Sequence, residues 1–273
     1  MGFKADLHTH TTHSDGWLTV DSLLRRAILH QIDVLSITDH DTVSGFIEAQ
    51  QVNTKYGLKL VPGIELSAQY NDFEVHVLGY YFDPGNKQIS EYTETLKVDR
   101  LQRCTRIVDK LRAEGVDISM ADVMAECKGD IVGRPHIAKA LIRRKIAKNF
   151  AHAFRTYLGN NASSYEKKYF ISPADAVKMI HDAGGIAVLA HPGHFDDDTL
   201  STILQEKFDA IEAIHPSHSS QQQQRLIEIS KKMGIPYSGG SDFHGGTSTD
   251  RGYIGLYFLN KKEFSAMELL KKM

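Results

Sequence analysis

Histidine is abundant in this chain and is concentrated in short polar motifs. The sequence contains 14 histidines and 2 cysteines. Imidazole is the commonest metal-binding side chain, and imidazoles mixed with carboxylates, without thiolates, suit manganese, iron or zinc in a hydrolytic site. The motifs are Asp6-Leu7-His8-Thr9-His10, Ser14-Asp15-Gly16, Thr38-Asp39-His40-Asp41, Gly63-Ile64-Glu65, His76, Ala190-His191-Pro192, His215-Pro216-Ser217-His218 and Ser241-Asp242-Phe243-His244.

Nine side chains in these motifs are candidate metal ligands. They are His8, His10, Asp15, His40, Glu65, His76, His191, Asp242 and His244. One ion takes about four to six ligands, so nine predict two or three divalent transition-metal ions, Mn²⁺, Fe²⁺ or Zn²⁺, with a bridging carboxylate. Such centres stabilise the attacking and leaving oxygens of phosphoryl transfer and lower the pKa of bound water. Asp39 is expected to hold the free N–H of a ligand histidine rather than to bind metal.

The alternation of short apolar runs with amphipathic stretches explains how distant motifs would meet. Seven strands are predicted, at residues 3–7, 33–38, 58–66, 73–80, 186–190, 210–214 and 235–239. The polar motifs follow most of them, with Glu65 at the end of the third strand and His76 within the fourth. Strand–helix alternation indicates an α/β fold with a mostly parallel sheet, and a closed barrel is favoured over a doubly wound open sheet. Parallel barrel strands end on one face, which carries the active site.

The pattern of apolar and polar residues changes after Asp83-Pro84-Gly85, which indicates a turn. Residues 88–160 have a mostly helical pattern and are predicted to form an insertion, a cap that carries part of the substrate site. Residues 1–87 and 161–273 would form the barrel domain. A last strand at 253–259 and a helix at 262–271 are expected to complete it.

Composition excludes several classes of protein. The formal net charge of −2 excludes a strongly basic protein that coats nucleic acid. No apolar run approaches the ~20 residues that a membrane helix needs, and the N-terminus lacks the apolar region of a signal peptide. We therefore expect a cytoplasmic protein with no membrane contact and no obligatory protein partner.

Apart from His215-Pro216-Ser217-His218, these motifs, in this order from residue 6 to residue 244, resemble the PHP (polymerase and histidinol phosphatase) family of metal-dependent phosphoesterases. The resemblance implies a distorted (β/α)7 TIM-like barrel with a trinuclear metal centre. It implies a first metal on His8, His10, Glu65 and Asp242. Glu65 would bridge to a second metal held by His76 and His191, and a third would take Asp15, His40 and His244. Catalysis would depend on the ligands His8, His10, Asp15, Glu65, His191, Asp242 and His244.

A narrower resemblance is to the branch that contains 3′,5′-nucleoside bisphosphate phosphatases and short-RNA exonucleases. Its marker is Gly133-Arg134-Pro135-His136, at a helix start inside the insertion. In that branch this Arg and His hold the substrate phosphate, which agrees with bidentate phosphate binding by Arg and with the preference of helix starts for anions. His215 and His218 are compatible with the branch as further substrate-binding residues.

The expected function is hydrolysis of nucleotide phosphate monoesters by a metal-bridging hydroxide. Substrates would be AMP or the 3′-phosphate of adenosine 3′,5′-bisphosphate, and short oligoribonucleotides could also be trimmed. Three alternatives are an amidohydrolase-type C–N hydrolase, a histidinol-phosphate phosphatase and a non-catalytic metal-binding module. The first often uses a carboxylated Lys as bridging ligand, where this chain offers Glu65. The Gly-Arg-Pro-His motif argues against the second, and the set of nine ligands argues against the third.

Overall fold

The computed structural model describes residues 2–129, 131–245 and 254–271. Their strands form one seven-stranded sheet in chain order. The strands are β1 (Ala5–Asp6), β2 (Val34–Ile37), β3 (Lys59–Tyr70), β4 (Phe73–Tyr80), β5 (Ile186–Leu189), β6 (Ala210–Ile214) and β7 (Tyr237–Gly239). All neighbouring pairs are parallel except that β4 runs antiparallel to both β3 and β5.

The first and last strands approach each other and nearly close the sheet into a barrel. The Leu7 amide donates to the Gly239 carbonyl at 3.3 Å. Just beyond, Thr9 and Phe243 form an isolated parallel bridge. The predicted α/β barrel of seven mostly parallel strands is therefore confirmed.

Helices lie between most of the consecutive strands and after the last one. They are α1 (Val20–Leu29), α2 (Ser44–Val52), α3 (Lys87–Ala113), α4 (Met120–Met124), α5 (Arg134–Arg143), α6 (Phe150–Ala153), α7 (Pro173–Asp182), α8 (Asp197–Ile203), α9 (Ser220–Met233) and α10 (Lys261–Leu270). Local sequence sets their ends: the Ser172 side chain accepts from the Asp175 amide to begin α7, and Gly234 ends α9 with a φ of 70°.

The helices α3 to α6 have an apolar core of their own. Leu111, Val123, Ile137 and Leu158 are buried in it. The barrel strands pack in other clusters, such as the one that contains Ile64, Val77 and Leu189. The long α3 joins these two regions because its first turns pack Ile89 into the barrel cluster.

Two expectations about strands are wrong. Strand β3 continues past residue 66 to Tyr70, because its polar end pairs with β4 across a tight turn in which Asn71 has a φ of 51°. Glu65 therefore lies within the strand and not at its end. The expected last strand is absent from the described residues 254–259, where a turn leads to a single bridge between Leu259 and Ala5. Residue 253 lies outside the described residues.

Within the described ranges, no helix is both long enough and apolar enough to span a membrane.

Candidate metal centre

Glu65 lies at the middle of a cluster of imidazoles. Its carboxylate is 1% exposed. Each of its oxygens lies within 3.3 Å of imidazole nitrogens, and the histidines concerned are His8, His10, His40, His76 and His191. One oxygen, Oε2, contacts the first three, and Oε1 contacts the last two. A carboxylate that faces two groups of ligands in this way has the geometry of a bridging ligand.

Two further carboxylates border the same cluster. Asp242 Oδ1 lies 3.1 Å from His10 Nε2 and 3.4 Å from His8 Nε2. Asp15 Oδ1 lies 3.2 Å from His244 Nε2, and the His244 ring stacks on His10 with centroids 4.1 Å apart. The structure thus brings all nine candidate ligands into one cluster.

Several buried nitrogen and oxygen atoms in the cluster lie close to one another but, in the described part of the chain, have no partner with hydrogen-bond geometry. They are His8 Nε2, both ring nitrogens of His10, His40 Nδ1 and Glu65 Oε2. Buried polar atoms are almost always paired, so orphaned atoms that converge at one place indicate an ion. The donor set therefore fits the implied divalent metals.

The spacing of the donor atoms agrees with more than one ion. Groups whose donor atoms lie within 4.8 Å of one another are His10–Asp15–His40–His244, His8–His10–Glu65, His40–Glu65–His76 and His8–Glu212–His215. The first contains the expected third set of ligands together with His10. The second contains three of the four ligands expected on the first metal.

Neighbouring carboxylates raise the pKa of some imidazoles in the cluster. Burial acts to lower the pKa of His76, but Glu65 and Glu74 raise it to about 10. Burial also opposes protonation of His244, while Asp15 and Asp242 raise its pKa to about 10. Burial dominates at His40 and lowers its pKa to about 3. Metal cations would replace the protons, because only the neutral imidazole binds a metal.

Two of the candidate ligands have strained backbones. His191 has a φ of 29° and Asp242 a φ of 49°, and neither is glycine. Such conformations cost roughly 1–3 kcal/mol each and persist only where the surroundings impose them. At His191 the amide donates to Glu212 Oε2 at 2.8 Å, which holds this turn in place.

Glu212 is a residue of the site that the motifs did not indicate. Its side chain is fully buried, and Oε1 lies 2.9 Å from His8 Nδ1. Burial acts to raise its pKa, but the His8 and His215 imidazoles hold the pKa at about 2, so the group is ionised. One feature of the sequence could have indicated Glu212: it is the single acidic residue in an otherwise apolar strand, Ala-Ile-Glu-Ala-Ile.

The expectation for Asp39 is wrong. Its carboxylate accepts from the Thr11 amide at 2.7 Å, from the Thr11 hydroxyl at 2.6 Å and from the Ser14 hydroxyl at 2.6 Å. These contacts organise the loop that carries Asp15, and no ligand histidine is among them. Short hydroxyl side chains next to the first motif satisfy the carboxylate instead.

The two histidines after β6 have different surroundings. His215 Nε2 lies 3.3 Å from Asp242 Oδ2, at the edge of the cluster. His218 Nε2 accepts from the Gly193 amide at 3.0 Å, and His218 Nδ1 lies 2.9 Å from the Ala213 carbonyl. A substrate role for His218 would require one of these backbone hydrogen bonds to break.

Arg134 and His136 begin α5. The Arg134 Nη1 donates to the Leu158 carbonyl at 3.1 Å and to Asn160 Oδ1 at 2.9 Å. His136 is buried, and burial together with the nearby Lys139 charge lowers its pKa to about 4. These contacts lie within the helical segment, so the structure does not bring Arg134 into contact with the imidazole cluster.

A cavity of about 450 Å³ opens over the cluster. It is lined by candidate ligands, among them Glu65 and His191, and by His194, Ser217 and Gln222. Its volume is within the range of small-molecule sites, about 300–1,000 Å³. His194 therefore belongs to the cavity wall.

The chain is similar to known proteins along most of its length. A family model described as PHP domain matches residues 6–171, more than half of the chain. A 5′-3′ exoribonuclease of Haemophilus influenzae is 32% identical over 250 residues, covering 89% of this chain and 91% of that protein. A 3′,5′-nucleoside bisphosphate phosphatase of Chromobacterium violaceum is 32% identical over 246 residues, covering 88% of this chain and 86% of that protein.

A solved structure has the same fold along nearly the whole chain. It is described as a metal-dependent phosphoesterase of Bifidobacterium adolescentis. The two chains superpose with a TM-score of 0.90 at 29% sequence identity, covering 98% of this chain and 96% of that one.

Proposed function

The chain belongs to the PHP domain family of metal-dependent phosphoesterases, and from this premise we propose that it hydrolyses phosphate monoesters of nucleotides. One observation carries the proposal: a single buried carboxylate, Glu65, is surrounded by five imidazoles beneath an open cavity, and some of their nitrogens have no hydrogen-bond partner among the residues that the structure describes. The relatives described as a bisphosphate phosphatase and an exoribonuclease support a nucleotide rather than histidinol phosphate. Glu65 as the bridging residue argues against a C–N hydrolase.

In this proposal, three ions of Mn²⁺, Fe²⁺ or Zn²⁺ are held by nine residues. They are His8, His10, Asp15, His40, Glu65, His76, His191, Asp242 and His244. When bound, such ions activate water and neutralise the phosphoryl oxygens. Glu65 would bridge two of them.

Other side chains orient the proposed ligands. Glu212 fixes the His8 imidazole through Nδ1, which leaves Nε2 facing Glu65. Glu74 contacts Nε2 of His76 at 3.3 Å, which leaves His76 Nδ1 on the metal side. Such contacts fix the tautomer and raise the basicity of a ligand.

We also propose that residues 88–160 act as a cap over the barrel. Lys139 of α5 donates to the Asp15 carbonyl at 3.2 Å, so this segment touches the loop of a proposed ligand. Arg134 and His136 would hold a substrate phosphate from the same helix start. For Arg134 this requires its guanidinium to leave Leu158 and Asn160 when substrate binds.

A second candidate function is removal of nucleotides from the 5′ end of short RNA. The observation in its favour is the Haemophilus influenzae exoribonuclease, which matches this chain along almost its full length. The same metal cluster would serve both reactions, since each breaks a phosphate ester.

The experiment that tests the proposed function combines metal analysis with a substrate panel. Purified protein should contain more than one transition-metal ion per chain, and a chelator should abolish phosphate release. Adenosine 3′,5′-bisphosphate, AMP, histidinol phosphate and a short oligoribonucleotide are then compared. A fully active metal-free protein, or a preference for histidinol phosphate, would contradict the proposal. His191→Ala should lose activity, and His181→Ala, on the exposed side of α7, serves as the matched control.

A further inference from the structure

Next to the proposed metal ligands, Ser67 and two cationic side chains, Lys168 and Arg100, form a second polar layer. The proposed chemistry does not use these three residues. Ser67 lies directly opposite His76 in the β3–β4 ladder. Ser67 also lies two residues after Glu65, so both side chains project from the same face, about 7 Å apart along the strand. Lys168 Nζ donates to Ser67 Oγ at 2.6 Å and to Glu74 Oε1 at 3.0 Å.

A second cation reaches this layer from the helical segment. Arg100 of α3 forms an ion pair with Asp41 through Nη2, and the same atom lies 3.4 Å from Ser67 Oγ. The side chains of Arg100 and Lys168 are only 11% and 10% exposed. Two nearly buried cations therefore face one serine next to the metal cluster.

Arg100 Nε is buried and has no hydrogen-bond partner among residues 2–129, 131–245 and 254–271. Buried donors without partners are rare, and a guanidinium presents a fork of five N–H groups that matches a phosphate. The first turn of α5 also lies over this guanidinium, since a Cβ on Gly133 would be 3.5 Å from Arg100 Nη1. A helix start adds a preference for negative charge.

We propose that Arg100 and Lys168 form an anion subsite that binds a non-scissile phosphate group of the substrate. This assignment rests on the proposed nucleotide phosphatase function. Lys168 donates to Glu74, which contacts His76 Nε2, whereas His76 Nδ1 faces Glu65. Lys168 therefore lies on the side of His76 that faces away from Glu65, and the proposed subsite would hold the substrate phosphate that is not over the cluster.

Two substrates that differ by one phosphate test the subsite. For wild-type protein and for Lys168→Gln, kcat/KM is measured with adenosine 3′,5′-bisphosphate and with 3′-AMP, which lacks the 5′-phosphate. We expect the loss in Lys168→Gln to be at least tenfold larger for the bisphosphate, with an unchanged metal content. Lys167→Gln, at the exposed neighbouring position, is the matched control. Equal losses on both substrates, or no loss on either, would overturn the subsite.

Arg100→Lys provides an independent variant that retains the charge paired with buried Asp41. It should also lose more kcat/KM on the bisphosphate than on 3′-AMP, because an ammonium lacks the guanidinium fork. An equal loss on both substrates would mean that Arg100 acts only as an ion pair between α3 and the barrel.

Sulfate separates failure of the subsite from failure of the proposed function. If wild-type protein hydrolyses no nucleotide, the proposed function fails, and the rise in melting temperature with sodium sulfate then tests the subsite alone. A rise in wild-type protein that is lost in Lys168→Gln supports an anion site. Equal rises in both proteins overturn it.

Discussion

Glu212 Oε1 lies 2.9 Å from Nδ1 of His8, and this contact turns the opposite nitrogen, Nε2, toward Glu65 and Asp242. The second oxygen of Glu212 accepts from the amide of His191, which lies in a strained turn. One buried carboxylate thus contacts two residues that follow different strands of the barrel, β1 and β5. Glu212 would therefore act on the proposed metal centre through these residues, and it is not itself a proposed ligand.

Replacing Glu212 by Gln should weaken metal binding. Both contacts of Glu212 are with N–H donors, so an amide must turn its NH₂ group toward one of them and lose that hydrogen bond. Loss of such a supporting partner typically lowers metal affinity by about 10- to 100-fold. Competition with a metal-binding dye measures the change in affinity.

Glu228→Gln is the matched control, because Glu228 is exposed on α9 and contacts Gln224. Wild-type metal affinity in Glu212→Gln would show that His8 and His191 do not depend on this carboxylate.

Arg134→Ala should reduce kcat/KM on a nucleotide substrate while the bound metal stays unchanged. A hydrogen bond to a charged group contributes roughly 1.5–3 kcal/mol, which corresponds to a loss of about 10- to 100-fold. Steady-state kinetics and metal analysis of the same preparation measure both quantities.

Arg143→Ala, on the same helix and paired with Glu126, controls for the loss of a surface arginine. Loss of metal in Arg134→Ala would mean that its role is misassigned. Unchanged kinetics would contradict a role of Arg134 in substrate binding.

The architecture could be predicted from sequence because its signals are local. Apolar runs such as residues 186–189 and capping residues such as Ser172 determine their own elements, and chain order then sets the order of strands. The length of β3 was not predictable in this way. Its polar end is a strand only because β4 folds back on it, and that pairing depends on the turn at Asn71.

The candidate site was predictable to the extent that its residues carry motifs. His8 and His10 share a short pattern, and the structure brings them to Glu65. Glu212 and Lys168 have no such pattern. Their significance comes from convergence of distant segments, which spacing along the chain does not reveal.

Metal binding should release protons near pH 7.5. Without metal, Glu65 raises the pKa of His76 to about 10, and Asp15 raises the pKa of His244 to about 10. Both imidazoles should therefore be protonated at pH 7.5. Coordination requires the neutral form, so the apparent affinity should rise as the pH rises toward 10. Calorimetric titration of Mn²⁺ or Zn²⁺ in buffers with different ionisation enthalpies measures the protons released. Heats that do not depend on the buffer would contradict this prediction.

Gly240→Ala should damage both the barrel and the metal centre. A Cβ at this position would lie 2.4 Å from the backbone nitrogen of His8 and 2.5 Å from its Cβ, so the two segments would have to separate. Overpacking of this kind typically costs about 1–3 kcal/mol of unfolding free energy, and displacement of His8 should also lower the metal content. Denaturant unfolding and metal analysis measure the two effects. Gly2→Ala, where an added Cβ meets nothing within 4 Å, is the control. If Gly240→Ala kept wild-type stability and metal content, the contact between Gly240 and His8 would not be needed to hold His8 in the cluster.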